Sequence, residues 1–310
     1  MAQFRVGCVP YVNARPLVAA FDRPNEFIEV IYDIPSRLPA LLDSGEVDAI
    51  LVSSIELLRR DDLLPVAEVG IMSYGPVKSV RMLSKVPLTD IKTLALDVSS
   101  LTSNILAQII LAEQGVFPMT ETLSPDAPNM LANHDACVVI GDKGFEADGT
   151  GLVDIDLGQA WTDMTGLPFV WALWLGKKEH RLDSQQLHFI LYLAYKASGL
   201  DSVHRKLNRQ SGAEERGIEK PDFQKKLDGW IEEGAGRRTT VFKSAVERSN
   251  WTYEQVEEYL THGVRFQLFK SQMGLAKFRE LIEKHNLCQL SAPEPDYFEL
   301  KRQIFDLIPS

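Results

Sequence analysis

The sequence predicts an α/β protein built from two similar lobes, and three observations point there. Short apolar segments rich in β-branched and aromatic residues alternate with helical patterns through the first 175 residues. That alternation lays helices on both faces of parallel sheets. Asp48-Ala49-Ile50-Leu51-Val52-Ser53 is echoed 87 positions later by Asp135-Ala136-Cys137-Val138-Val139-Ile140, as two lobes of one design would produce. From Ser184 onward the strand pattern gives way to helical periodicity.

Taken in order, the predicted strands are 4–9, 27–34, 49–52, 66–71, 77–83, 93–96, 136–140 and 169–174. Helices are expected at 37–43, 55–60 and 101–114. The last has apolar residues at 101, 105, 106, 109 and 110 and ends at Gly115, which suits a left-handed cap. Further helices are expected at 185–198, 223–233, 253–262 and 274–284. Ser249-Asn250-Trp251-Thr252 with Glu254 reads as the start of the third of these. The hydrophilic stretch 210–240 reads as a surface insertion, and 291–310, with Pro293 and Pro295, as a late appendage.

Composition narrows the function. The chain has 310 residues, 45% hydrophobic and 25% charged, which suits a globular protein of about two domains. A net charge of −10 argues against nucleic acid or an anionic membrane as partner, since both need a basic surface. The charge is uneven. Residues 1–180 carry 13 basic and 24 acidic side chains, and 86–170 have only Lys92 and Lys143 against twelve acids. An anionic ligand bound there must be held mostly by neutral donors. Cys8, Cys137 and Cys288 form neither a disulfide framework nor a ligand-spaced set, which favours a reducing compartment. No signal-peptide pattern opens the chain and no apolar run approaches ~20 residues, so a cytoplasmic protein is expected.

Five stretches could carry chemistry. In Gly7-Cys8-Val9-Pro10-Tyr11-Val12-Asn13-Ala14-Arg15-Pro16-Leu17 a strand runs into a helix start, where parallel sheets place ligand groups. Asn13 could face a ligand or merely cap the helix. In Leu51-Val52-Ser53-Ser54-Ile55-Glu56, Ser53 with Glu56 fits a capping box, while Ser54 could face a cleft. Asp97-Val98-Ser99-Ser100-Leu101-Thr102-Ser103-Asn104 crowds hydroxyls and an amide at the start of the strongest helix. One suffices as a cap, and the surplus suits an anion met by backbone N–H groups and the helix dipole. Pro76-Val77-Lys78-Ser79-Val80-Arg81 lies where one lobe would hand over to the other, as a ligand strand or a solvated edge. Ile140-Gly141-Asp142-Lys143-Gly144 is a glycine-flanked turn at a strand end. No phosphate loop, Ser-His-Asp order or metal-binding His pair is present in the sequence.

These stretches, in this order, resemble the chorismate dehydratase family of the futalosine route to menaquinone. The resemblance rests on Val9 to Leu17, on Ser44-Gly45-Glu46-Val47-Asp48-Ala49 running into Ser53-Ser54, and on Ser79. It continues through Ser99-Ser100-Leu101-Thr102-Ser103 and Ile140-Gly141-Asp142-Lys143. It closes on Asp156-Leu157-Gly158-Gln159-Ala160-Trp161 and Thr165-Gly166-Leu167-Pro168-Phe169-Val170. It implies a two-lobed fold like type II periplasmic binding proteins, each lobe a parallel-rich sheet flanked by helices, with a helical C-terminal part. The lobes would be 1–83 plus 175–310 and 84–174, with the substrate cleft between them.

The implied activity is a cofactor-free, metal-free hydro-lyase that converts chorismate to 3-[(1-carboxyvinyl)oxy]benzoate. A sister enzyme of similar fold, 1,4-dihydroxy-6-naphthoate synthase, opens with a Ser-Pro-Cys-Pro-Asn-Asp-like motif. Cys8-Val9-Pro10-Tyr11-Val12-Asn13 stands here instead, which favours the dehydratase. Asn13, Ser79 and Asp142 are the expected catalytic residues. Tyr11, Ser53, Ser54, Arg81, Ser100, Thr102, Ser103 and Gly141 are expected to bind substrate. The general base would be the substrate's own enolpyruvyl carboxylate, with Asp142 as its rival. Lys78 and Arg81, as scarce cations, are expected to matter more than surface cations do. A second copy of the chain is a further candidate partner. The alternative of another class is a binding protein that captures a small carboxylate unchanged.

Overall fold

Two mixed β-sheets organise the chain. The computed structural model describes residues 3–179, 184–201, 204, 237–268 and 270–291. Strands β1 (Phe4–Cys8), β2 (Ile28–Tyr32), β3 (Ala49–Ser53) and β4 (Leu63–Ser73) begin the first sheet. The chain then crosses to a second sheet made of β5 (Val80–Ser84), β6 (Thr93–Asp97), β7 (Met119–Leu123), β8 (Ala136–Ile140) and β9 (Val153–Asp156). It returns through β10 (Phe169–Lys177) and ends its strand content with β11 (Arg265–Gln267). The first sheet has the order β11-β4-β10-β3-β1-β2 and the second β7-β6-β8-β5-β9.

Strand–helix alternation predicts parallel pairing, and half of it is found. β1 is parallel to β2 and β3, and β6 to β7 and β8. β10 runs antiparallel to β3 and β4, β11 to β4, and β5 to β8 and β9. The strands that carry the chain into one sheet and back into the other run against their neighbours, which no local pattern encodes. The expected lobe boundaries at 83/84 and 174/175 fall inside β5 and β10. Pairing places all of β5 in the second sheet and all of β10 in the first.

The helices are α1 (Arg15–Val18), α2 (Leu38–Asp43), α3 (Ile55–Arg59), α4 (Leu101–Ala112), α5 (Ala127–Asn133), α6 (Gly141–Glu146) and α7 (Leu157–Thr165). They continue with α8 (Ser184–Ala197), α9 (Arg238–Glu247), α10 (Tyr253–Glu258), which runs into a π-helical turn at Tyr259–Gly263, and α11 (Ser271–His285). β7 and β9 lie at the edges of the second sheet with no fully buried residue, β7 being mostly exposed and β9 only four residues long, so neither shows an apolar run in the sequence. Gly141–Glu146, expected as a turn, is helical. The expected helix 223–233, most of the 210–240 stretch and the tail from 292 lie outside the described residues.

One carboxylate secures the crossover. Asp156 caps α7 by accepting the Gln159 N–H at 3.0 Å, and it also accepts the N–H groups of Val77 (3.0 Å) and Lys78 (2.6 Å). Gly158 lets the two segments meet: a Cβ there would lie 2.8 Å from both Gly75 O and Ser73 Oγ. Trp161 is fully buried, with its ring centroid 5.0 Å from Phe169 in an edge contact. The Asp156–Trp161 block therefore builds the joint between the sheets. The main core runs through both sheets, and a smaller cluster (Leu83, Ala95, Ala127, Met130, Cys137, Val139) lies beneath α5. Among the described residues no helix is long and apolar enough to cross a membrane.

Candidate active site

Strand ends from both sheets converge on one cavity enclosing about 660 Å³ outside protein atoms, its open mouth included. The loop after β1 supplies Tyr11 and Asn13, the end of β3 supplies Ser53, and the crossover supplies Ser79. The start of α4 contributes Ser99, Ser100 and Ser103. Gly141 at the start of α6 and Trp171 on β10 complete the wall, with Tyr259 from the π turn. No charged side chain lines the cavity among the described residues. The uneven charge of the sequence foreshadows this: the groups offered to a ligand are hydroxyls, an amide and the positive end of the α4 dipole.

Local geometry resolves several open readings. The residue that caps α1 is Ala14, with no side-chain bond, so Asn13 is not spent as a cap. Its Oδ1 is buried without a hydrogen-bond partner. The Ser53–Glu56 capping box does not form: Ser54 occupies the cap position of α3 and its side chain makes no capping bond, and Ser53 lines the cavity. At α4, Ser100 Oγ accepts the Ser103 N–H at 3.3 Å and donates to Ser103 Oγ at 2.8 Å, so one hydroxyl caps and its neighbours remain on the cavity wall. Asp97, fully buried, shapes this loop. Its carboxylate accepts from the Ser99 N–H (2.8 Å), the Ser99 hydroxyl and the Ile140 N–H (3.3 Å). Burial raises its pKa above the ordinary carboxylate value against those bonds.

Three hydroxyl and amide groups from distant parts of the chain meet at the crossover. Ser79 Oγ and Tyr259 OH lie 2.7 Å apart; burial raises the Tyr259 pKa, and Ser79 and then the nearby Asn13 side chain oppose that rise. Asp142, in the first turn of α6, is pushed up to about 6, chiefly by burial and then by Glu146, with Lys143 opposing. After burial, the charges of Asp97 and Asp142 raise Tyr11.

Three expected ligand groups are engaged elsewhere. Ser54 is fully buried and donates to Val170 O at 2.6 Å, tying α3 to β10. Thr102 accepts the Ile55 N–H at 3.2 Å, so its hydroxyl stitches α4 to the start of α3. Arg81 pairs with Asp154 and donates to Gly144 O (3.0 Å) and Ala147 O (2.6 Å), holding the end of α6 against β9. Lys78 pairs with Glu258. Neither cation lines the cavity, because acids and carbonyls brought near by the fold take them first.

Sequence reasoning missed Tyr259, Trp171 and Asp97. Trp171 stands one residue past the Thr165–Val170 block, and its indole N–H donates to Ser73 Oγ at 3.0 Å. Asp97 opens the α4 motif and was readable there. Tyr259 carries no local signal. No cluster of three or more His, Cys, Asp or Glu able to hold a metal occurs among the described residues.

Comparison with known proteins adds an independent line. Residues 4–284 match the family model described as menaquinone biosynthesis. Over 200 residues, 58% of this chain and 72% of the relative, the sequence is 32% identical to a chorismate dehydratase of Thermus thermophilus. It is 30% identical to a chorismate dehydratase of Campylobacter jejuni over 176 residues, 54% of this chain and 64% of that one. The periplasmic aliphatic sulphonate binding protein of Escherichia coli matches with a TM-score of 0.59 at 14% identity, covering 94% of each chain. That likeness shows a periplasmic-binding-protein-like fold.

Proposed function

The chain belongs to the menaquinone biosynthesis family, and on that premise we propose that it is a chorismate dehydratase acting in the cytoplasm, at the first step of the futalosine route. The observation that carries this reading is the 32% identity to a chorismate dehydratase across 72% of that relative. The cavity supports it chemically.

Chorismate is a dianion whose C3 proton is acidified through the conjugated ring carboxylate and whose C4 bears a hydroxyl. Loss of both as water makes the ring aromatic, so the driving force lies in the substrate. The protein must hold the ring, stabilise developing charge and exclude water. Ser100 and Ser103 at the α4 N-terminus can receive a carboxylate, with Ser53 and Tyr11 on the same wall. Asn13 and Ser79 stand where they can orient the reacting edge. The substrate's enolpyruvyl carboxylate serves as the base in this reading, which is supported by a lining that, among the described residues, holds no ionisable side chain except the tyrosines. Asp142, pushed up to about 6 by burial, is not part of the described lining, although its neighbour Gly141 is.

Incubating the pure protein with chorismate tests this. An aromatic, enolpyruvyl-bearing product, seen by ultraviolet absorbance and mass, is expected. Chorismate bound but unconverted would overturn the enzyme reading in favour of a binding protein. Conversion of cyclic dehypoxanthine futalosine instead would assign the sister synthase.

A further inference from the structure

The wall of the cavity includes one aromatic hydroxyl for which the dehydration chemistry has no direct use. Tyr259 is 1% exposed and arrives from the C-terminal helices, 180 positions from Ser79. It opens a π-helical turn, a departure from α geometry that recurs at functional sites. Its ring is held edge-on by Trp251, with centroids 5.1 Å apart, and by Phe145 at 6.1 Å. Gly263, at the end of the same turn, makes the space: a Cβ there would stand 2.9 Å from the Tyr259 ring and 3.2 Å from Val77 O.

So placed, the hydroxyl meets Ser79 Oγ at 2.7 Å, with Asn13 on the same cavity wall. A phenol has one proton to give and can accept in return. If it accepts from the Asn13 amide and donates to Ser79 Oγ, the Ser79 O–H and the Asn13 Oδ1 are both left for the cavity. That Oδ1 is buried and unpartnered. One tyrosine thus sets a donor and an acceptor side by side, on segments from the first sheet and from the crossover.

We propose that Tyr259 is a positioning residue of the site, locking Asn13 and Ser79 into the arrangement that meets the substrate, with Gly263 as the vacancy that seats it. The proposal rests on the dehydratase reading and adds to it a residue that touches no reacting atom. Such preorganisation acts on the transition state more than on ground-state binding.

The test is steady-state turnover of chorismate by the full chain and by Tyr259→Phe, with activity referred to the folded fraction measured by circular dichroism. Loss of about tenfold or more in kcat, with KM changed less than about threefold, is expected for one lost orienting hydrogen bond. Tyr259→Phe in a Ser79→Ala background should cost far less than in the wild type, since the hydroxyl acts through that partner. Gly263→Ala should lower kcat although every cavity side chain is retained. Wild-type kcat in Tyr259→Phe, an effect confined to KM, or full additivity with Ser79→Ala overturns the proposal alone. A wild-type chain that leaves chorismate unconverted overturns the dehydratase reading, and the proposal with it.

Discussion

Replacing Asp142 by Asn separates stability from catalysis at a single carboxyl. In the folded chain Asp142 titrates near 6 against an ordinary 3.8, mainly through burial and the Glu146 charge. The folded state therefore prefers the protonated acid. The Asp142 contribution to stability is fully present below pH about 4, is lost as the pH rises through 6, and stays lost above it. At 1.36 kcal/mol per pKa unit the full rise corresponds to about 3 kcal/mol, and screening at a half-buried group cuts this to about 1–2 kcal/mol. Asp142→Asn removes the ionisation. Its Tm should equal that of the wild type near pH 4 and exceed it by a few degrees above pH 7. The Asp142 charge also reaches Tyr11 on the cavity wall. Losing it should lower KM for the dianion above pH 6 and leave KM unchanged at pH 5. Melting curves and chorismate kinetics between pH 4 and 8 measure all three. A Tm difference that does not vary with pH refutes the burial argument. Turnover abolished with affinity intact refutes the substrate carboxylate as base and makes Asp142 the base.

Other expectations are direct. Ser100→Ala removes the α4 cap and a cavity hydroxyl together. It should cost about 1 kcal/mol of stability and raise KM for chorismate, and a rise in Tm or an unchanged KM counts against it. Arg81→Gln strands Asp154 and the Gly144 and Ala147 carbonyls. It should destabilise by about 2–3 kcal/mol in denaturant titrations while KM of the folded fraction holds, and a tenfold rise in KM would place Arg81 back in the site. Gly158→Ala forces a Cβ onto Gly75 O and Ser73 Oγ. Overpacking of about 1–3 kcal/mol should appear as a lower unfolding midpoint, and wild-type stability would mean that the crossover yields easily.

The two-lobed α/β class, the strand positions flanking the cavity and the hydroxyl cluster at α4 were legible because each is written in neighbouring residues. Apolar runs mark strands, and a helix start collects Ser and Asn within one turn. Charge counting was legible too: a second lobe nearly without cations implied neutral ligand groups, and the described lining bears no charge. Adjacent residues could not say which hydroxyls remain available. Ser53 and Ser54 are neighbours, as are Thr102 and Ser103. In each pair one side chain faces the cavity, while the other is bound to a segment far away in sequence.

The sequence by itself determined the family, the class of fold and the chemical character of the site, since these follow from local pattern and composition. Only tertiary structure decided which way β10 and β5 run, that Arg81 and Lys78 are bound by Asp154 and Glu258, and that Tyr259 completes the site. The physical reason is common to all three. A hydrogen bond or ion pair is set by distance in space, and the partners are far apart along the chain: 52 to 60 positions for β5 with β8, and 73 to 180 for Arg81, Lys78 and Tyr259.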